Sequence, residues 1–382
     1  MLELAREECN GCGACYNACP MNCITMVPDE RGFLYPNIDT AVCISCGACE
    51  AACPPLTPLM TLTSESTVYL TCYDHEGFLE PAAGGAIFAM LARYVIEKGG
   101  AVFGASFSPD MELRHRSATE LNDIFKLQGV KLSQSDTKHT MREARDLLND
   151  GKWVLYAGTP CQIEGFLAFL GREYETLITI DFVCSGVSSP RLLAYYLEGL
   201  YKDYGEPVVS LRVREKYKGY KEPYVKIFCK PSVKIFELAQ RNSYVQLYEK
   251  GYGYRPSCRS CQFRKPHHLS DFTISDAWSA VDDSFAADNR GLTIVQLNTE
   301  QGDAVWKTCL DIVEDNRRLL RAVPYDLEKE KAVNAGFTSD KQVDEDMEEA
   351  LFNDLKTKRF RKAVQAYIEE PKKSFRSRVL GR

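Results

Sequence analysis

The chain has 382 residues, 45% of them hydrophobic and 26% charged, with a formal net charge of −6. That length allows two or three domains and a sizeable core, and the proportions are those of a globular protein, not a disordered or fibrous one. The acidic balance argues against a nucleic-acid partner or a membrane surface, and no apolar run approaches the ~20 residues that span a bilayer. The opening MLELAREEC carries no basic or apolar leader, so no signal peptide is expected. Sixteen cysteines in such a chain read as metal ligands in a reducing, cytoplasmic compartment.

Residues 1–58 form the first expected domain. CNGCGACYNACP places Cys9, Cys12, Cys15 and Cys19 before Pro20, and CISCGACEAACP places Cys43, Cys46, Cys49 and Cys53 before Pro54. Both copies match C-x2-C-x2-C-x3-C-P, the spacing of bacterial two-cluster ferredoxins, in which the fourth cysteine of each run serves the other cluster. One [4Fe–4S] cluster is therefore assigned to Cys9, Cys12, Cys15 and Cys53, the other to Cys43, Cys46, Cys49 and Cys19. Zinc sites favour paired CxxC units over CxxCxxC runs, and disulfide frameworks favour small secreted chains. Gly11, Gly13 and Gly47 let backbone N–H groups turn toward an anionic cluster. GFLYPNID (32–39) reads as a short sheet segment, and Cys23, outside both spacings, as a packed spectator.

PPLTPLMTLTSES (54–66) has a linker composition, with the domain boundary set at 59–66. An α/β domain is expected over 67–316. Thr67–Cys72 reads as a strand, Gly84–Lys98 as a helix stopped by Gly99-Gly100, and Ala101–Phe107 as a strand, together a βαβ unit. Helices are expected at Thr119–Lys126 and Asp136–Asp150. Trp153–Ala157 and Leu177–Val183 are buried-type strands flanking a helix at Ile163–Leu170. Pro190–Tyr204 reads as a helix with Pro in its first turn, and Val208–Cys229 as a hairpin or meander. Asp271–Ser275 and Leu292–Leu297 read as strands. From Gln301 onward the chain reads as mostly helical, with a helical extension over 317–382 and a basic tail, KKSFRSRVLGR. Cys72, Cys229 and Cys309 lie alone in apolar segments and read as core.

A second set of cysteines follows strand ends. Cys161 (GTPCQ) and Cys184 (DFVCSG) each follow a strand, and Cys258 and Cys261 form CRSC in a loop. Neighbouring parallel strands bring their carboxyl ends within about 5–10 Å, where open α/β sheets bind ligands. Four thiolates converging there would suffice for a third cluster, for a zinc ion, or for independent structural roles. His267-His268 reads as surface loop, with a proton or metal role as the other reading. No GxGxxG appears, which argues against a nicotinamide Rossmann site, and no nucleophile set or carboxylate pair stands out.

From about Thr67 to Asp315 the chain resembles the beta subunit of coenzyme F420-reducing hydrogenase and its relatives, among them F420-dependent dehydrogenase subunits and 7-hydroxymethyl chlorophyll a reductase. The motifs that carry the resemblance are AAGGAIFAMLARYVIEKGGAVFGASF, KLSQSDT, GTPCQIEGFLAFLG, DFVCSGVSSP, YRPSCRSCQF and SDFTISDAW. The resemblance implies an α/β domain that binds FAD and a [4Fe–4S] cluster, with Cys161, Cys184, Cys258 and Cys261 holding that cluster near the flavin. It implies cofactor contacts at Gly84, Gly85, Lys131, Gln134, Ser135, Thr159, Gln162, Asp276 and Trp278. The chain departs from the family where Ser-Ser-Gly-Gly becomes Ala82-Ala83-Gly84-Gly85, and where Gly-Asp-Phe-Trp-Gly becomes Ser275-Asp276-Ala277-Trp278-Ser279. At the first of these, phosphate contacts must rely on backbone N–H groups at a helix start.

The fold expected is thus α+β and α/β: a bacterial-type two-cluster ferredoxin domain, an α/β flavin-binding domain and a helical carboxyl-terminal region. The function expected is an iron–sulfur flavoprotein oxidoreductase that converts hydride transfer at FAD into single-electron transfer. F420 or a small organic substrate would stand on one side, a ferredoxin or partner subunit on the other. A non-catalytic electron-transfer subunit of a larger complex is the other reading.

Overall fold

The computed structural model describes residues 3–60, 66–230, 232–280, 289–314, 320–338 and 342–368. Most of the expected linker and the whole basic tail lie outside them. In the amino-terminal module each cysteine run turns through a left-handed glycine, Gly13 (φ 81) or Gly47 (φ 75), into a short helix, Ala14–Ala18 or Ala48–Ala51. Between the runs, β1 (Ile24–Pro28) pairs antiparallel with β2 (Leu34–Ile38), Ile24 opposite Ile38. β2 is the sheet segment read from GFLYPNID.

An eight-stranded mixed sheet organises the rest, in the order β13-β3-β12-β11-β7-β6-β4-β5. Its strands are β3 (Thr67–Tyr73), β4 (Ala101–Phe107), β5 (Leu113–Ala118), β6 (Val154–Ala157), β7 (Leu177–Phe182), β11 (Phe272–Asp276), β12 (Thr293–Leu297) and β13 (Leu320–Pro324). The centre, β4-β6-β7-β11, is parallel, and both flanks are antiparallel. Helices cover both faces, and the central strands are largely buried, though β7 and β11 also bury Thr179, Asp181 and Thr273. On one face the helices Ile87–Glu97 and Glu300–Glu314 pack over Leu70, Val102, Leu155 and Ile178. On the other, Thr140–Asn149 and Pro160–Leu170 pack over Phe103, Val154 and Tyr156, and Ala14 and Ala52 of the amino-terminal module join that core. A third core lies under an antiparallel meander, β8 (Val208–Glu215), β9 (Tyr224–Cys229) and β10 (Ser232–Leu238), packed with the helices Pro190–Tyr204, Ser243–Glu249 and Glu345–Thr357.

Several expectations change. β3 and β4 share the sheet but are not neighbours: β12, β11, β7 and β6 lie between them. The more deeply buried strands take the centre, whereas β3 begins exposed. The chain after residue 316 is not purely helical, because β13 pairs with β3 (Ala322 opposite Thr71) and closes the sheet edge. Thr119–Lys126 is a 3-10 turn, Leu121–Asp123, followed by one short helix, Ile124–Leu127. β5, β10 and the helix Ser243–Glu249 carried no strong pattern. Cys72, Cys229 and Cys309 are buried in the cores as expected. Among the described residues no helix is long and apolar enough to cross a membrane.

Candidate functional site

The amino-terminal thiols gather into two sets. Burial, with Cys9 and Cys53 adding to it, pushes the Cys12 thiol up to about 12. Burial, then Cys12, Cys9 and Cys53, push the Cys15 thiol well above its ordinary value, and burial with Cys9 beside it raises Cys53 to about 11. Cys9, Cys12, Cys15 and Cys53 are thus within electrostatic reach of one another. Around the second position a cavity of about 40 Å³ is lined by Cys19, Cys43, Cys46 and Cys49, and also by Cys23. Cys23 Sγ lies 3.3 Å from Cys19 Sγ. Cys23, expected as a packed spectator, is packed into this wall. The two positions differ in shelter: Cys9, Cys15 and Cys53 are buried, whereas Cys46 is exposed.

The second cysteine set meets at the carboxyl end of the sheet. β6 ends at Ala157 and the helix Pro160–Leu170 starts three residues later, carrying Cys161 in its first turn. GTPCQ encodes that helix start. Thr159 is the N-cap, Pro160 takes the first helical position, and the Thr159 N–H donates to Gln162 Oε1 (3.0 Å), closing a capping box. Thr159 Oγ1 also lies 3.1 Å from Cys161 Sγ. Cys184 follows β7, and Cys258 lies in the helical turn Pro256–Arg259 just before Cys261. Burial, then Cys261, Cys258 and Cys184, raise the Cys161 thiol far above its ordinary value; burial, then Cys258 and Cys261, raise Cys184. Gly186 adopts φ +127, and a Cβ there would meet the Tyr254 ring at 2.6 Å and Cys258 Cβ at 3.2 Å. Among the described residues no three His, Cys, Asp or Glu side chains close on a single ion; the thiols stand around a shared space.

That space opens into a cavity of about 910 Å³ whose wall includes all four cysteines, within the usual size of cofactor sites. Ala86, Ile87 and Phe88 line it at the amino end of the helix Ile87–Glu97. Its N-cap, Ala86, sits at φ 63 and supplies no side-chain cap, so the N–H groups of the first turn face the cavity without a side-chain partner. Lys131, Arg214, Arg264 and Lys265 stand on the wall, a cationic lining in an acidic chain. Gln128 Oε1, Ser257 Oγ and Ser275 Oγ, also at the wall, are buried with no hydrogen-bond partner. Asn10 of the amino-terminal module reaches the same cavity.

The expected cofactor contacts divide. Gly84 is on the wall, but the Gly85 N–H donates to Thr293 Oγ1 (2.7 Å), and a Cβ on Gly85 would lie 2.6 Å from the Thr71 carbonyl oxygen. Gly85 thus serves the close approach of the turn to β3. Lys131 lines the cavity, yet its Nζ donates to the Leu127 and Gln128 carbonyls (both 2.7 Å), and burial beside Arg212 brings its pKa down to about 7. Gln134 reaches the amino-terminal module, its Nε2 donating to the Asn10 carbonyl (2.8 Å) and its Oε1 accepting from Arg255 (2.7 Å). Ser135 Oγ meets His115 Nδ1 (3.1 Å) and Gln162 Nε2 (3.2 Å). Asp276 pairs with Arg214, whose guanidinium lies 4.5 Å over the Trp278 ring, itself stacked on Tyr220 at 5.2 Å.

One histidine escaped the sequence reading and another is placed differently from its surface-loop expectation. His115 is buried and lines the cavity, its Nε2 3.0 Å from the Ala157 carbonyl; burial lowers its pKa to about 4. His268, expected on a surface loop, is only 8% exposed, and its Nδ1 lies 2.7 Å from Asp181 Oδ2. The signal was Asp181 itself: a carboxylate closing the buried run LITID requires a partner.

The amino-terminal module is seated on this site. Arg142 donates to the carbonyls of Asn17 (2.6 Å), Tyr16 (3.1 Å) and Cys19 (2.7 Å), and Thr137 Oγ1 to that of Cys12 (3.0 Å). A Cβ on Gly165, in the helix that bears Cys161, would lie 2.8 Å from Cys12 Sγ.

Residues 151–314 match the family described as the carboxyl-terminal region of the coenzyme F420 hydrogenase/dehydrogenase beta subunit, and residues 8–55 match a 4Fe-4S dicluster domain. No curated protein matches the chain. Among solved structures, it is similar to a chain of the F420-reducing [NiFe] hydrogenase complex from Methanosarcina barkeri. The two share 17% identity over 76% of this chain and 94% of that one, with a TM-score of 0.48.

Proposed function

We propose that this iron–sulfur electron-transfer oxidoreductase, related to the F420 hydrogenase beta subunit, is a flavoprotein. On this reading FAD occupies the 910 Å³ cavity and Cys161, Cys184, Cys258 and Cys261 hold a third [4Fe–4S] cluster beside it. One observation carries the proposal: a cofactor-sized cavity has an uncapped helix terminus and cationic side chains on its wall together with four converging thiols.

The residues present suit the dinucleotide. The free N–H groups at Ala86–Phe88 and the dipole of their 11-residue helix would hold the pyrophosphate. Lys131 and Arg214 would supply positive charge, Trp278 an aromatic wall, and the unpartnered oxygens of Gln128 and Ser275 hydrogen-bond acceptors or donors. Bound FAD would supply the exchange of one hydride for two single electrons. Hydride transfer leaves protons to be managed. His268 can hold one: Asp181 fixes Nδ1 and leaves Nε2 as the exchanging nitrogen at the cavity wall.

The chain sets the order of the electron carriers. Cys161 and Gly165 are four residues apart on one helix, about 6 Å of rise, and Gly165 abuts Cys12. The third thiol set therefore adjoins the first, and the exposed second position serves the outside partner, a ferredoxin or a partner subunit. The hydride side would take F420 or a small organic substrate.

Anaerobically purified protein tests this directly. Stoichiometric FAD that bleaches when reduced F420, NADH, NADPH or reduced ferredoxin is offered in turn is the expected result. Flavin-free protein with its iron intact would overturn it and leave a non-catalytic electron-transfer subunit.

A further inference from the structure

Arg255 is a cation buried without a carboxylate. Its side chain is 0% exposed. Nε donates to the Cys9 carbonyl (2.7 Å), Nη1 to Gln134 Oε1 (2.7 Å) and Nη2 to the Leu34 carbonyl (3.0 Å). Nη2 also points at Cys9 Sγ, 3.6 Å away. The guanidinium lies 4.3 Å over the Tyr35 ring and 5.4 Å from Phe33. Every oxygen acceptor here is neutral. A charge removed from water to this extent is costly unless an anion stands beside it, and the sulfur its guanidinium contacts among the described residues is that of Cys9, with Cys12 and Cys258 also within its electrostatic reach. The chain makes room for this contact. Gly11 adopts φ +64, and a Cβ there would come 2.7 Å from Nη1 and 2.9 Å from the guanidinium carbon.

We propose that Arg255 is the counter-ion of the iron–sulfur cluster held by Cys9, Cys12, Cys15 and Cys53, and that it raises that cluster's reduction potential. The cubane with its four thiolates is anionic and gains one negative charge on reduction. A fixed positive charge at a ligand sulfur therefore favours the reduced form, and dry surroundings strengthen the effect. The main chain of Arg255 has a second duty. Its N–H donates to the Val187 carbonyl (3.1 Å) and its carbonyl accepts from the Cys258 N–H (2.9 Å). The residue that touches Cys9 thus also turns the loop that carries Cys258. This inference rests on the dicluster assignment and is independent of the flavin.

The test uses the full, cluster-loaded chain, with iron analysis followed by redox titration under low-temperature EPR. Arg255→Met removes the charge at similar volume, and Arg255→Lys keeps it. Thr137→Val removes a neutral contact to the same module. In Arg255→Met one titration wave should move down by at least a tenfold change in the reduced-to-oxidised ratio at fixed potential, or 59 mV for a one-electron couple. Arg255→Lys should retain most of the wild-type position, and Thr137→Val all of it. Unmoved waves in Arg255→Met with iron retained, or equal falls in all three variants, would overturn the proposal. Should Arg255→Met lose the cluster, Gln134→Glu decides instead. It sets a carboxylate against the guanidinium, so the same wave should fall; an unmoved wave would overturn the proposal. Absence of iron from the unaltered module would instead overturn the dicluster reading beneath it.

Discussion

Gly165→Ala sets two energies of opposite sign against each other. In a helix interior, alanine is favoured over glycine by about 1 kcal/mol. Against that, the new Cβ would lie 2.8 Å from Cys12 Sγ, 3.2 Å from Cys12 Cβ and 3.3 Å from Ala14 Cβ. Overpacking of this kind costs about 1–3 kcal/mol. The upper part of that range applies, because a sulfur bound to iron cannot swing aside and Ala14 is fully buried. The net effect is about 1–2 kcal/mol of destabilisation, concentrated where the module meets the helix. At about 2–4 °C per kcal/mol for chains somewhat shorter than this one, the thermal midpoint of cluster-loaded protein should fall by a few degrees. Transfer of electrons from the cavity to the amino-terminal clusters should slow while chemical reduction of those clusters stays normal. A midpoint that rises by the helix-propensity increment alone would refute the close approach.

Iron analysis checks two further expectations. Cys258→Ala should lower the iron from about twelve atoms per chain to about eight, as expected for loss of one four-iron cluster; an unchanged content would remove the third cluster from the scheme. Cys23, 3.3 Å from Cys19, is placed to substitute for it, so Cys19→Ala should keep its iron and Cys19→Ala/Cys23→Ala should lose about four atoms. Loss from the single variant would show that Cys23 does not reach. Burial pulls the His268 pKa down, but the Asp181 carboxylate outweighs it and the net shift is upward. The pair therefore stabilises the fold fully below the ordinary histidine pKa of about 6.5, and that contribution fades as pH rises through the higher folded value. Thermal midpoints of the wild type and His268→Asn, measured from pH 5.5 to 8.5, should converge toward the alkaline end; a constant gap would contradict the ion pair.

What the sequence disclosed depended on how local the signal was. The cysteine runs and the glycine turns are local, and each appears where the spacing put it; the helix after GTPCQ is there too, but starts three residues earlier than expected, at Pro160. β6 and β7 were legible because both their faces are buried, so their composition alone marks them. Strand order was not legible. Nothing in TVYLTC says that β12 and β11 will intervene between it and AVFGASF, and β13 is a strand only because β3 offers it an edge. The site divided in the same way. Thr159 and Gln162 were expected as cofactor contacts, and much of their hydrogen bonding serves the helix cap and each other. Gln134 was read as a flavin contact, and both ends of its amide belong to the joint with the amino-terminal module. His268 was read as surface loop because its partner Asp181 lies 87 residues away, beyond any periodicity.

The unequal shelter of the two amino-terminal positions has a consequence for how the protein ages. Cys9, Cys15 and Cys53 are buried, with Cys12 packed against Gly165, whereas Cys46 is exposed and neighbouring Ile44 is 60% exposed. Dissolved oxygen and chelators reach the outer position first. Damage should therefore proceed inward, behaving as a fuse at the outer end: the link to the partner is cut while the interior is still whole. A molecule that has lost its outer iron can be refilled from the surface, with no need to open the joint that Arg142, Thr137 and Arg255 hold shut.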